Sequence, residues 1–302
     1  MNTNFKSGFV AILGRPNVGK STLLNQIMGH KISIVTNKAQ TTRNNIRGVY
    51  TKPGAYQIVF VDTPGVHTTK KQLDRFLNSS ALKTTKDVDL LLFLAPSNET
   101  IGKNDLFLLK QIQNLEIPKI LVITKADLVN KEQLIVKATE WNAYQEFFDE
   151  IVITSSSQDL NLDKLLELIV KYLPQTNYQF YDQETITDQP ERFMIREIIR
   201  ENVLLKTGQE VPHSVAILID QLEKYQTKIN IIASIVVERA SQKAIMIGKQ
   251  GSKIADIRYK SKKQIQQMYH QKVNLELFVK VQPNWTNSAS LIKKMGYDKD
   301  KY

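Results

Sequence analysis

Gly14-Arg15-Pro16-Asn17-Val18-Gly19-Lys20-Ser21 lies between an apolar run, residues 8–13, and an amphipathic one, residues 22–28. With glycine at about 7% of residues, a Gly-x4-Gly-Lys-Ser string arises by chance in roughly 1% of chains this long. The flanks narrow the reading further. A phosphate-binding loop needs a buried strand before it and a helix after it, because the amides of a helix N-terminus must face the phosphate. Residues 9–13 predict the strand, and Leu23, Leu24, Ile27 and Met28 predict the apolar face of the helix. Gly14 and Gly19 let the backbone wrap a ligand with no Cβ in the way. The segment Gly14 to Thr22 is therefore the candidate nucleotide-binding loop, with Lys20 reaching the β- and γ-phosphates and Ser21 coordinating Mg²⁺.

Downstream of such a loop, ordinary polar residues gain meaning. Gln40-Thr41-Thr42-Arg43 sits in a polar stretch where a hydroxyl can complete a Mg²⁺ shell and sense the γ-phosphate, a switch ordered only in the triphosphate state. Thr42 is favoured over Thr41 for that role. Residues 46–50 and 56–61 predict two strands joined by a Pro53-Gly54 turn, and the second ends in Asp62-Thr63-Pro64-Gly65. Asp62 is placed to hold Mg²⁺ through water, and Gly65 to offer its amide to the γ-phosphate. Lys20, Thr42 and Gly65 are thus the candidate catalytic residues. Ras-like enzymes orient the attacking water with a Gln after this Gly. Val66 stands there instead, and slow intrinsic hydrolysis is expected.

Strand and helix patterns then alternate: strands at 88–94, 119–123 and 151–153, helices at 105–115, 132–148 and 162–172. That rhythm predicts a three-layer α/β sandwich with a mainly parallel sheet. Thr124-Lys125-Ala126-Asp127 follows a buried strand and resembles the guanine signature Asn-Lys-x-Asp, in which the Asp carboxylate accepts from guanine N1 and N2. Adenine offers no such donor pair, so Asp127 argues for GTP. Thr124 departs from the usual Asn and offers fewer hydrogen-bonding groups. Ser155-Ser156 occupies the position of the further base-contacting loop of G proteins.

The 302 residues point to two domains. Cysteine is absent, which excludes disulfides, thiolate metal sites and Cys nucleophiles. The start carries no signal-peptide pattern, and the longest apolar runs are far too short to span a bilayer. A soluble, cytoplasmic monomer is the expectation. Of the net charge of +11, residues 191–302 carry 20 Lys and Arg against 11 Asp and Glu, a net of +9. The basic part thus suggests a polyanionic partner, nucleic acid or an anionic membrane surface.

Residues 1–174 are expected to form the nucleotide domain, 175–190 a polar linker, 191–282 a second domain and 283–302 a tail. In the second domain the order of elements reads α-β-β-α-α-β. Between its last two helical segments lies Gly248-Lys249-Gln250-Gly251, the GXXG signature of a KH fold, a loop that clamps a single-stranded backbone. Lys249, Lys253, Arg258, Lys260, Lys262 and Lys263 surround it against a single Asp256. Ile247, Ile254 and Val237 are candidates for the groove floor.

These motifs, together with residues 190–201 (PERFMIREIIRE), 211–214 (VPHS), 236–254 and 273–281, resemble the Era family, bacterial GTPases associated with small-subunit assembly. The resemblance covers nearly the whole chain, and a P-loop GTPase followed by a type II KH domain is more specific than either motif alone. It implies binding of the 3′ end of 16S rRNA and the 30S subunit, favoured by GTP, and peripheral membrane association. It also implies that Asn17 helps bind K⁺ beside the phosphates, as in related GTPases lacking the catalytic Gln. Two competitors are an RNA-binding module whose nucleotide site only stabilises the fold and a GTPase acting in tRNA modification. A metabolic kinase fits least, since Asp127 suits guanine and no phosphoacceptor domain is evident.

Overall fold

The computed structural model describes all residues except 1–4, 37, 39–40, 68, 70–71, 209–213 and 298–302. The chain divides into two compact units, one holding Met1–Ser33, Thr42–Thr69 and Phe76–Asp188, the other Ile34–Thr41, Lys70–Arg75 and Gln189–Tyr302.

In the first part of the chain the order is β1 (Lys6–Leu13), α1 (Lys20–Met28), β2 (Ile46–Lys52), β3 (Tyr56–Asp62), α2 (Gln72–Thr84), β4 (Leu90–Pro96) and α3 (Lys103–Ile112). Then follow β5 (Lys119–Thr124), α4 (Lys131–Asn142), β6 (Glu150–Ile153) and α5 (Leu162–Tyr172). The sheet order is β2-β3-β1-β4-β5-β6, with only β2 and β3 antiparallel. β1 and β4 read as near-continuous apolar runs because helices cover both sheet faces. Two core clusters result, one around Val10, Ile12, Leu92 and Val122, the other around Leu13, Leu91, Phe93 and Trp141. Parallel strands aim their C-terminal ends the same way. The loops after β1, β3, β4, β5 and β6 therefore share one rim.

Two elements differ from expectation. Helix α2 was not anticipated, although Leu73, Leu77 and Ala81 recur every four residues and are all buried. Its other positions are polar enough to hide that stripe. The helix expected over 132–148 stops at Asn142 and gives way to a single 3₁₀ turn, Gln145–Phe147, which lets Phe148 join Trp141 and Phe93.

The stretch expected as a linker is pinned to the first unit as far as Asp188. The buried Gln57 amide accepts from the Phe180 and Tyr181 amides at 2.8 and 3.0 Å and donates to the Tyr181 carbonyl at 2.8 Å. Arg47 pairs with Asp188 at 2.8 Å, and the Val49 amide donates to the Ile186 carbonyl.

The second unit contains α6 (Glu191–Lys206), β7 (Ala216–Lys224), β8 (Lys228–Val237), α7 (Ala240–Ile247), α8 (Ser252–Tyr269), β9 (Lys272–Val281) and α9 (Ala289–Lys294). β8 is central, antiparallel to β7 and parallel to β9. The strict alternation of β9, with Val273, Leu275, Leu277 and Val279 buried, shows a sheet with one covered face. α6 and α8 pack on that core through Ile195, Ile199, Ile257 and Ile265. The tail folds back onto this unit: Trp285 is fully buried, donates Nε1–H to the Ser214 carbonyl at 2.9 Å and stacks on Tyr297.

Candidate nucleotide and RNA sites

The rim loops assemble the first site. Gly19 caps α1 at φ 104, a conformation that only glycine adopts without strain, and so turns the chain into the helix. Asn17 is also left-handed, at φ 64, and exposed. A Cβ on Gly65 would come within 2.8 Å of the Pro16 backbone, so the loop after β3 closes on the phosphate loop only because Gly65 has no side chain. Val66 lies wholly inside the core, so the residue after that glycine offers nothing to a bound water.

Lys20 is buried, and its ammonium donates to the Gly14 and Arg15 carbonyls, both at 3.0 Å. Burial pulls its pKa down to about 8, against the opposing pull of Asp62. Burial likewise pushes the Asp62 carboxyl up, opposed by Lys20 and by three hydroxyls. Burial disfavours the charged form of each, and the two groups offset that cost for one another. The Asp62 Oδ2 accepts from Ser21 at 2.7 Å, Ser33 at 2.8 Å and Thr42 at 3.4 Å, while Oδ1 is buried with no partner among the described residues. Ser21 and Thr42 hydroxyls are 2.9 Å apart. One carboxylate with a spare oxygen and two converging hydroxyls is a hard-oxygen set that suits Mg²⁺.

Thr41 is elsewhere: its hydroxyl bonds the Thr36 hydroxyl and the Lys38 carbonyl, both at 2.7 Å. Arg43 is buried, and Gln40 lies outside the described residues. The Arg15 guanidinium is engaged by Glu99 at 2.8 Å and Asp105 at 3.1 Å, so this residue contributes its backbone to the phosphate loop. Thr63 gives its hydroxyl to the Ile12 carbonyl at 2.7 Å, anchoring the Asp62–Gly65 turn.

Sequence reasoning missed Ser33. Asn25 on α1 holds the preceding turn by accepting from the Ile32 and Ser33 amides, which delivers the Ser33 hydroxyl to Asp62. The signal was faint, a lone Asn on an amphipathic helix.

At the base end, the Ser155 hydroxyl donates to Asp127 at 2.5 Å and lowers its pKa, the largest of several contributions. The carboxylate is exposed, ionised and oriented. The Ala126 amide is tied to the Thr154 carbonyl, and Ser156 sits half-buried on the same loop. Thr124 donates to the Val18 carbonyl at 2.6 Å, and Lys125 is left-handed at φ 59.

The second site is an exposed loop. Gly248 and Gly251 have φ of 73 and 77, and a Cβ on Gly248 would meet Lys253 at 2.8 Å. Gln250 is forced to φ 50 between them, so Lys249 and Gln250 are thrust into solvent ahead of α8. Asp256 pairs with Lys206 at 2.6 Å and Lys260 at 3.8 Å. Among the described residues, Lys249, Lys253, Arg258, Lys262 and Lys263 make no ion pair and keep their charge for a polyanion. Val237 is fully buried and drops out as a groove residue, whereas Ile247 and Ile254 are partly exposed over the core. Arg258, Lys262 and the exposed Tyr259 also border a cavity of about 590 Å³ with Asn230 and Asn274.

Comparison with known proteins follows the same division. A family described as 50S ribosome-binding GTPase matches residues 9–125, and the KH domain family matches residues 210–286. A crystal structure of Era with MgGDPNP and nucleotides 1506–1542 of 16S ribosomal RNA is 34% identical, covers 97% of this chain and 99% of its own, and superposes with a TM-score of 0.94. A variant of Era from Aquifex aeolicus bound to GDP and AlF₄⁻ is 34% identical with the same coverage and a TM-score of 0.93. With both units matched end to end at that identity, the chain belongs to the Era family: it is a P-loop GTPase followed by a KH domain.

Proposed function

We propose that this chain is a GTP-hydrolysing, RNA-binding switch that engages the 3′ end of 16S rRNA and assists assembly of the 30S subunit. One observation carries the reading: a candidate phosphate and base site and a charged GXXG loop occur in one chain that matches, over both units, an Era structure holding a GTP analogue and 16S RNA. The first-domain match is to a family described by the 50S subunit, but the match spanning both units carries 16S RNA, and the RNA assignment follows it. Residues 1–174 serve as the nucleotide domain and 191–282 as the RNA domain.

Within the site, Lys20 holds the β- and γ-phosphates and Asp127 selects guanine. Ser21 and Thr42 would hold Mg²⁺ directly and Asp62 through water. An ion bound there would supply charge neutralisation at the phosphates. The Gly65 amide meets the γ-phosphate, and water attacks it to leave GDP and inorganic phosphate. No side chain at position 66 orients that water, so the remaining lever is charge stabilisation. Asn17 would hold K⁺ for that purpose, so turnover in KCl is expected to exceed turnover in NaCl at matched ionic strength; equal rates would remove K⁺ from the account.

No helix among the described residues is long and apolar enough to cross a membrane. The proposed rRNA partner is the ground on which we place the protein in the cytoplasm. The reading is tested by measuring affinity for a single-stranded RNA copied from the 16S 3′ end in the GDPNP and GDP states. Tighter binding with GDPNP is expected. Equal binding would favour an RNA-binding module with an uncoupled nucleotide site.

A further inference from the structure

The turn that carries Gly65 is held from two directions. On one side β1 and the phosphate loop take it: the Thr63 hydroxyl donates to the Ile12 carbonyl at 2.7 Å, and the Val66 amide donates to the Gly14 carbonyl at 3.4 Å. On the other side a single residue of α2 takes it. The side-chain NH₂ of Asn78 donates to the His67 carbonyl at 2.6 Å, and the Asn78 oxygen accepts from the His67 amide at 3.3 Å. Both main-chain groups of His67 thus end on one carboxamide, a group that offers a donor and an acceptor side by side.

The helix behind Asn78 is itself fixed. Asn78 is half-buried, and Ala81, on the next turn, is fully buried in the core cluster that also holds Val66. At the end of α2 the Thr84 hydroxyl accepts from the Asn45 side-chain NH₂ at 2.7 Å. Asn78 therefore ties His67, two residues beyond Gly65, to an anchored element.

Val66 brings no polar group to the γ-phosphate, so what this turn contributes there is main chain. A main-chain amide is aimed only by what holds the residues on either side of it. Pro16 closes one flank of Gly65, since a Cβ on that glycine would stand 2.8 Å from the Pro16 backbone. The Asn78 clamp closes the other.

We propose that Asn78 is a positioning residue for hydrolysis: by fixing both main-chain groups of His67, it aims the Gly65 amide at the γ-phosphate. The proposal rests on the GTPase reading of the site. GDP has no γ-phosphate, so the clamp bears on the hydrolytic step and leaves diphosphate binding alone. A donor about 1 Å out of place in the transition state can cost roughly 100-fold in rate, so a small relaxation of the turn has a large readout.

The test is single-turnover GTP hydrolysis by the full chain with Mg²⁺ and K⁺, measured beside GDP affinity and the thermal midpoint. Asn78→Ala, which removes both bonds, is expected to lower the rate about tenfold or more, with GDP affinity within about twofold of the parent. Asn78→Asp keeps the size and the acceptor but turns a carboxylate oxygen on the His67 carbonyl, and should lose as much. A side chain needed only for packing would be spared by that isosteric change. Parental turnover in either folded variant would overturn the proposal. So would a loss of GDP affinity equal to the loss of turnover, the mark of general damage to the site. If Asn78→Ala fails to fold, Asn78→Asp decides on the same criteria, and failure of both to fold would make Asn78 a stability residue and overturn the clamp. A parent chain that binds GTP without hydrolysing it would instead sink the GTPase reading on which the clamp depends.

Discussion

Lys20 and Lys249 both stand beside glycines in loops that lead into a helix, yet they are opposites. Lys20 is buried, with its ammonium on two main-chain carbonyls and its pKa drawn down to about 8. Lys249 is exposed beside Gln250, and among the described residues it has no ion pair. The difference teaches what each loop recognises. A buried, pre-paired site selects a ligand by geometry and by relief of desolvation. An exposed, unpaired one recognises charge and shape and loses affinity with salt.

The comparison breaks most visibly at Lys20. Lys20→Ala is expected to lower kcat/KM for GTP by roughly 10²- to 10³-fold while leaving RNA affinity in place; parallel hydrolysis and RNA-binding assays check it. The converse variant, Lys249→Asp with Gln250→Asp, should weaken single-stranded RNA binding about 30-fold or more without lowering the thermal midpoint, because both side chains are in solvent. Its salt slope should also flatten by about 0.7 for each RNA phosphate that the loop no longer neutralises. Retained affinity in the folded double variant would remove the GXXG loop from the RNA site.

A third effect is sharper but smaller. Burial depresses the Lys20 pKa, so below about 8 the ammonium is charged and ready, and above it nucleotide binding must take up a proton. GDP affinity should therefore be level below about pH 8 and fall above it by up to about tenfold per unit. RNA affinity has no such break there. Calorimetry in buffers of different ionisation enthalpy reads the proton uptake directly. Smallest is Ser33→Ala, which removes one of three hydroxyls on Asp62 and should reduce GTP turnover only a few-fold, the scale of one hydrogen bond to a charged group that retains others.

What the residues revealed in advance follows the same contrast. The nucleotide site was legible because its chemistry demands fixed residue types at fixed spacings: glycines where φ must be positive or a Cβ would collide, Lys20 and Ser21 at the helix start, Asp62 at a strand end. Residues recruited through the fold were not legible. Ser33 and Glu99 carry no spacing signal, since Asn25 on α1 and the β4 end place them. Helix α2 was hidden by a stripe only one residue wide. The tail showed no function because Trp285 finds its partners, Ser214 and Tyr297, only after folding. Val237 was a groove candidate that belongs to the core, because a buried strand and a groove floor are written in the same aliphatic residues.

The most direct test of the account is steady-state GTP hydrolysis with Mg²⁺ and K⁺, with and without a short single-stranded RNA copied from the host's 16S rRNA 3′ end. A several-fold acceleration by RNA, lost in the Lys249→Asp, Gln250→Asp variant, is the predicted result. RNA that binds with no change in turnover, and with no preference between GTP and GDP states, would contradict a switch and leave two independent sites on one chain.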